Sequence, residues 1–314
     1  MSLRHAVGPV SLAAATTRTA SRQSYLTIRW LADPAYRADA FALYAYFRWL
    51  DDTVDERLGD RDERLAFVAR QQALFAQAAS GARPSGLSPD EALLVGLARP
   101  DRPDRADRRG DASESREVGG DVLLSLHAML DVMEFDAQRR GRPVTQQELD
   151  DYTEDLAVAV TEALHHCIGH GCRSPHDETR YVAVTGAHVA HMLRDLVEDL
   201  DAGYLNVPSE VLVDGQLSRD DLLSPELRAW VRDRVALARS CFATGRRCLA
   251  RAESARCRLA GHAYIARFEW VLDAVEADGY RLRPSYPERA TLRGGLRIAA
   301  DGARSALVAA RSGR

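Results

Sequence analysis

From residue 35 onward, apolar residues recur at three- and four-residue spacings, the period of a helix buried along one side. Between Tyr36 and Asp55 this pattern aligns Phe41, Tyr44, Ala45, Leu50 and Val54, and the stretch Ala40 to Leu50 is apolar on nearly every face. Helix starts are marked by Ser88-Pro89-Asp90-Glu91, a capping serine with proline at the first helical position, and by Thr145 with Glu148. Ser218 with Asp221 predicts a further start. No run sustains the two-residue alternation of a half-buried strand, and hairpin dipeptides are rare. The pattern predicts an all-α domain of many helices. Arg99 to Gly120 is charged, holds Pro and Gly, and reads as a flexible loop over 99–120. The predicted layout is a loose N-terminal arm over 1–20, one domain over 21–287 and a basic tail over 288–314.

Composition narrows this little. The 314 residues are 46% apolar, enough for a sizeable core, and a formal net charge of −4 excludes a bulk electrostatic attraction to nucleic acid. Every basic charge is Arg, which fits a GC-rich coding bias. The cysteines, Cys167, Cys172, Cys241, Cys248 and Cys257, are odd in number and form no small secreted framework, so a reduced cytoplasmic setting is expected. Cys241 and Cys248 share a helical face and read as core. No uncharged apolar run reaches membrane-spanning length. The tail carries Arg289, Arg293, Arg297, Arg304, Arg311 and Arg314 among Leu, Ala and Gly. It reads as a solvated helix, with peripheral membrane contact as the alternative.

Two acidic rows change the picture. Asp51 and Asp55 are four apart on one helical face, with Asp52 beside them. Asp195, Glu198 and Asp199 form a second row on another largely apolar helix. Like charges at these spacings repel by roughly 0.2–0.5 kcal/mol per pair, so each face calls for a cation. Mg²⁺ suits: it is hard, oxygen-seeking, and commonly shared between carboxylates and substrate phosphates. Each row alone also reads as a solvated helix end paired with arginine. Arg48, one turn before the first row, and Arg194, beside Asp195, are candidates either for that pairing or for donating to phosphate oxygens.

The residues Tyr44 to Glu56 (YAYFRWLDDTVDE) and Leu193 to Asp199 (LRDLVED) resemble the two signatures of the squalene/phytoene synthase family, the head-to-head prenyl transferases. Gly203 to Glu210 (GYLNVPSE) is similar to the segment that follows the second signature. Weaker echoes are Ser24-Tyr25, Met133 to Asp136 (MEFD) and Phe268 to Tyr280 (FEWVLDAVEADGY), so the likeness covers about residues 21 to 285. The resemblance implies an isoprenoid-synthase helical bundle around a central cavity. It implies magnesium-diphosphate roles for Asp51, Asp52, Asp55, Asp195 and Asp199, and phosphate contacts for Ser24 and Arg48. It further implies ionisation of an allylic prenyl diphosphate in a water-excluding cavity, where Tyr44, Phe47 and Phe268 are candidates to face the cation.

Departures from the family pattern gather in the second half. His188 and His191 stand where Gln and Asn are usual, Glu154 replaces a tyrosine, and Tyr204 and Asn206 replace an Arg and a Tyr. The expected function is therefore prenyl transfer to an altered acceptor, an aromatic small molecule such as a carbazole in secondary metabolism. His188, His191 or Glu154 would take the released proton; the plain alternative for both histidines is a hydrogen-bonded core. Head-to-head synthesis of squalene- or phytoene-type products is one alternative function, and a non-catalytic assembly factor is another. His165, His166, Cys167, His170, Cys172 and His176 crowd together with no zinc-site spacing and read as a helix end with a polar loop.

Overall fold

A computed structural model describes residues 9–100, 120–212, 217 and 221–286. Most of the expected loop over 99–120 and all of the tail over 288–314 lie outside them. The described residues form ten α-helices and no strand; an isolated bridge joins Val144 and Pro208. The helices are α1 (Pro9–Ala20), α2 (Arg22–Leu31), α3 (Arg37–Asp52), α4 (Arg61–Ala79), α5 (Pro89–Ala98), α6 (Val122–Arg139), α7 (Gln146–Cys167), α8 (Val182–Ala202), α9 (Pro225–Ala250) and α10 (Ala255–Ala277). No described helix is long and apolar enough to cross a membrane.

The chain groups into two compact units, one of Met1–Gln138 with Ala159–Cys172, the other of Arg139–Val158 with Arg173–Arg314. In the first, α3 supplies Tyr46 and Leu50, both without solvent exposure. A polar chain pins α3 to its neighbours: the Tyr46 hydroxyl donates to Gln71 Oε1 at 3.4 Å, and Gln71 Nε2 donates to Glu91 Oε1 at 3.2 Å. Glu91 also takes Arg70 Nε at 2.7 Å and closes the predicted capping box with Ser88. The box predicted at Thr145 and Glu148 forms as well, with Glu148 N–H to Thr145 Oγ1 at 3.2 Å and Thr145 N–H to Glu148 Oε2 at 2.8 Å.

Two local readings are revised. Residues Pro9–Ala20, expected to be loose, form α1, with Ala13 and Thr17 buried; Ala13 packs with Phe41 and Ala45 of α3. The small side chains that made this stretch look structureless are what let it lie close to α3. The start read at Ser218 lies outside the described residues; a 3-10 turn spans Asp221–Leu223, and α9 begins at Pro225, where the Ser224 hydroxyl caps Leu227 N–H at 3.1 Å. The helix entering the first acidic row leaves α geometry at Asp52 and continues as a π turn over Thr53–Arg57.

The His/Cys-rich segment ends α7 and folds back. His166 Nε2 lies 3.1 Å from Asp39 Oδ2, His170 Nδ1 lies 3.2 Å from the His166 carbonyl, and Tyr36 packs against both rings. All five cysteines are free thiols, Cys241 and Cys248 both buried.

In the second unit α8, α9 and α10 share one core that includes Leu193, Leu196, Val231, Phe242, Ile265 and Leu272. Burying each such large side chain contributes about 1.5–3 kcal/mol. Close approach of α8 to α9 depends on glycine at two points. A Cβ on Gly186 would lie 2.8 Å from Cys241 Cβ, and one on Gly245 would lie 2.7 Å from Ala183 Cβ. Gly186→Ala therefore overpacks a backbone contact, and we expect a loss of about 1–3 kcal/mol, read as a lower urea midpoint with an unchanged slope.

Candidate active site

The first acidic row is built by a change of helix type. Asp51 and Asp52 end α3, and Asp55 sits in the π turn. Leu58 N–H bonds to the Thr53 carbonyl at 3.2 Å, and the Thr53 hydroxyl donates to the Trp49 carbonyl at 2.6 Å. Single π turns within helices are frequent at functional sites. Thr53 and Val54 are buried, while Asp51, Asp52 and Asp55 are partly exposed. Buried Arg64 secures the following turn, donating to the Gly59 carbonyl at 2.9 Å and the Ala137 carbonyl at 3.4 Å.

That second bond brings α6 alongside, and with it Asp136, itself buried. The Asp51 carboxyl is pushed up to about 7, first by burial, then by Asp55, with Asp136 and Asp52 adding to the effect and Arg48 opposing it. Two fifths of the Asp51 side chain still reaches solvent (42%), so its enclosure is one-sided and opens outward. Arg48 pairs with Asp51 at 3.3 Å and Asp52 at 2.5 Å. Asp136 belongs to this acid group, and only the weak MEFD echo pointed to it. Ser24 lies in the first turn of α2, partly buried, its N–H held by Ser21 Oγ at 3.1 Å.

The second row rides on α8. Asp195 is held by both nitrogens of the Arg194 fork and by His191 Nε2 at 2.9 Å. Burial pushes its carboxyl up, but the Arg194 and His191 hydrogen bonds outweigh it and hold Asp195 well below the usual carboxylate range. Asp199, one turn on, is different: burial, then the Asp195 charge, push it up to about 7, against Asn206 and Arg139. Glu198 is exposed and adds to that rise.

A tight helix end makes the Asn206 contact possible. Gly203 adopts a left-handed φ of 88°, its N–H bonding to the Leu200 carbonyl at 3.1 Å and Tyr204 N–H to the Asp199 carbonyl at 2.8 Å. The chain then folds back, and Asn206 Nδ2 donates to Asp199 Oδ2 at 2.6 Å while its Oδ1 accepts from Arg139 Nη1 at 2.6 Å. Arg139 is buried, its guanidinium 4.8 Å from the ring centres of both Tyr152 and Tyr204. Tyr152 in turn meets His188 edge-on at 5.1 Å.

His188 is buried, and neither ring nitrogen has a hydrogen-bond partner. Burial, then His191, Arg139 and Arg234, push its pKa down to about 3, so it is neutral. Half of the His191 side chain reaches solvent (50%), and its ring meets Phe268 edge-on at 6.3 Å. Its pKa is lowered, chiefly by burial, with the Asp195 bond pulling the other way. Glu154 is exposed on α7, two residues beyond Tyr152 and so about 200° around the helix from it. Thus the structure groups Arg48, Asp51, Asp52 and Asp55 with Asp136, and His188, His191, Arg194, Asp195 and Asp199 with Arg139, Tyr152 and Asn206.

Among the described residues, no three His, Cys, Asp or Glu side chains converge as ligands of one ion. Arg48, Arg194 and Asn206 hold the acids instead. The donors nonetheless fit magnesium: they are carboxylate oxygens, and Asp51 and Asp199 each carry a positive-charge deficit.

The model of the family "squalene/phytoene synthase" matches residues 17–295. The chain belongs to the squalene/phytoene synthase family. This is a family of prenyltransferases. Squalene synthase HpnC from Alicyclobacillus acidocaldarius shares the fold at 21% identity and a TM-score of 0.66, over 88% of this chain and 96% of that one. A dehydrosqualene synthase solved with a ligand shares it at 16% identity and a TM-score of 0.68, over 94% and 95%. A complex of TcSQS with the ligand BPH1237 does so at 14% and 0.64, over 97% and 90%. These likenesses show the helical isoprenoid-synthase fold. No curated protein matches the chain by sequence.

The raised carboxyls of this family member predict a pH response. Asp51 and Asp199 have folded pKa values near 7 against an ordinary 3.8, so between those values the fold holds protons that the unfolded chain releases. Stability of the metal-free protein therefore falls as pH rises from about 4 to 7. Thermal melts without divalent ions should show a lower Tm at pH 8 than at pH 5.5. Asp51→Asn should shrink that difference, and Mg²⁺ should raise Tm more at pH 8 than at pH 5.5.

Proposed function

We propose that this enzyme is a magnesium-dependent prenyltransferase that ionises an allylic prenyl diphosphate and passes the prenyl group to an aromatic small-molecule acceptor. The observation carrying this reading is that each acidic row of a squalene/phytoene synthase family chain contains a carboxyl raised to about 7 by burial and by its neighbours' charge. Two rows short of positive charge suit a cation and a diphosphate.

In this reading Asp51, Asp52 and Asp55 in one row, and Asp195 and Asp199 in the other, hold Mg²⁺. When bound, the ion supplies the positive charge that lets diphosphate oxygens depart as an anion. Arg48, with 44% of its side chain exposed, is free to turn from Asp51 to a phosphate oxygen, and Arg194 and Ser24 are further donors. The allylic C–O bond breaks, its electron pair leaves with the diphosphate, and a ring carbon of the acceptor bonds to the prenyl carbon. The ring then gives up a proton. His191 suits that proton best, because its ring reaches solvent while both His188 nitrogens are enclosed. His188, held neutral with a pKa near 3, is a poor base at neutral pH. Glu154 is exposed, about 200° around α7 from Tyr152, the residue that meets His188.

A second reading has its own support. The family match spans both acidic signatures, and two solved neighbours are named squalene and dehydrosqualene synthase. Head-to-head coupling of two prenyl diphosphates is that alternative. Assay of the full chain with Mg²⁺ and radiolabelled prenyl diphosphates separates the two. The aromatic reading expects labelled product only when an aromatic acceptor is added; coupled prenyl product without acceptor would replace it with the second. Asp51→Asn and Asp195→Asn should each lower turnover by roughly 100-fold or more while leaving the helical circular-dichroism signal intact. Wild-type turnover in either variant would remove that residue from the mechanism.

A further inference from the structure

Four polar or aromatic groups converge behind Asp199. Asn206 is buried and spends both ends of its amide: Nδ2 donates to Asp199 Oδ2 at 2.6 Å, and Oδ1 accepts from Arg139 Nη1 at 2.6 Å. Arg139 cannot swing away, because the rings of Tyr152 and Tyr204 each lie 4.8 Å from its guanidinium carbon. Gly141 N–H bonds to the Gly203 carbonyl at 2.8 Å and ties the segment after Arg139 to the turn that carries Asn206. The amide orientation follows from its partners: a guanidinium only donates and must face Oδ1, which leaves the NH₂ for the carboxylate.

We propose that Asn206, braced by Arg139 between Tyr152 and Tyr204, is a positioning residue that fixes the Asp199 carboxylate as a divalent-cation ligand. The inference rests on the proposed metal role of Asp199 and deepens it. A carboxylate at a helix end has free rotamers, and ordering it on ion binding has an entropic cost. One oxygen pinned by Asn206 leaves the other free in a preset direction. Groups that orient metal ligands in this way typically change affinity 10–100-fold when removed.

The test measures Mn²⁺ binding to the full-length protein by isothermal titration calorimetry and by the loss of free-ion electron paramagnetic resonance signal. Asn206→Leu removes both hydrogen bonds. Asn206→Ser is too short to make either contact directly but leaves a polar hydroxyl in place of a methyl branch, which covers the case in which Asn206→Leu does not fold. Each folded variant should bind Mn²⁺ about 10-fold or more weakly. In an Asp199→Asn background, either substitution should cause no further loss, because both act through one carboxylate. A role confined to stability would lower the urea midpoint but leave Mn²⁺ affinity of the folded protein unchanged, and that result overturns the proposal. Additive losses in the double variant overturn it too. If Asp199→Asn itself leaves Mn²⁺ affinity unchanged, the metal role of Asp199 falls and this inference falls with it, an outcome distinct from failure of the Asn206 variants alone.

Discussion

Like charges held together on helices that the fold half-buries are the constraint behind this protein. A carboxylate beside other carboxylates, with part of its water removed, either finds a cation or takes up a proton. At the first row burial and three neighbouring carboxylates act on Asp51 against the opposing charge of Arg48, and Asp51 sits near 7. Folding alone would not favour such a group. The Tyr46–Gln71–Glu91 chain, the buried Arg64 and the apolar face of α3 supply the stability that holds it in place.

The rows answer the same constraint differently. Asp195 is saturated, with the Arg194 fork and His191 on its oxygens, and its carboxyl is pulled low. Asp199, four residues on, is raised by burial and by the Asp195 charge, and its neutral amide partner with the Arg139 charge beyond does not outweigh them, so its carboxyl stays high. Neighbouring acids on one helix thus differ in how readily they can give an oxygen to an incoming cation: Asp195 must first release a guanidinium, whereas Asp199 need not. The first row repeats the contrast, since Arg48 is half-exposed and exchangeable where Arg194 is largely enclosed.

What the sequence made legible were features written in short-range spacing. Helical periodicity and the capping boxes at Ser88 and Thr145 depend on residues three or four apart, and helical structure bears them out. The family resemblance, carried by the two acidic rows, is matched over residues 17–295. Contacts made by tertiary packing were not legible. Asp136 reaches the first group because Arg64 joins the turn after α3 to α6, and no local pattern encodes that. Arg139 and Tyr152 carry no signal in the sequence, because their partners Tyr204 and Asn206 reach Arg139 only through the left-handed turn at Gly203. The π turn at Thr53 escaped because its signal is one extra residue per turn, invisible to a spacing that tolerates three or four. Helix α1 escaped because Ala, Ser and Thr carry little periodic contrast.

The departures from the family pattern, taken as isolated substitutions, suggested only a changed acceptor. In the fold most of them are neighbours. Tyr204 lies against Arg139, Asn206 joins Arg139 to Asp199, Tyr152 passes from Arg139 to His188, and His191 bonds Asp195. A tyrosine at 206 would have no amide to serve Arg139 and Asp199 at once, and an arginine at 204 would set a second guanidinium against Arg139. The substitutions are therefore physically linked: the residue at 206 sets what Arg139 bonds, and the residue at 204 sets what its guanidinium packs against. The setting of the second acidic row is in that sense one physical problem, shared among the same few side chains.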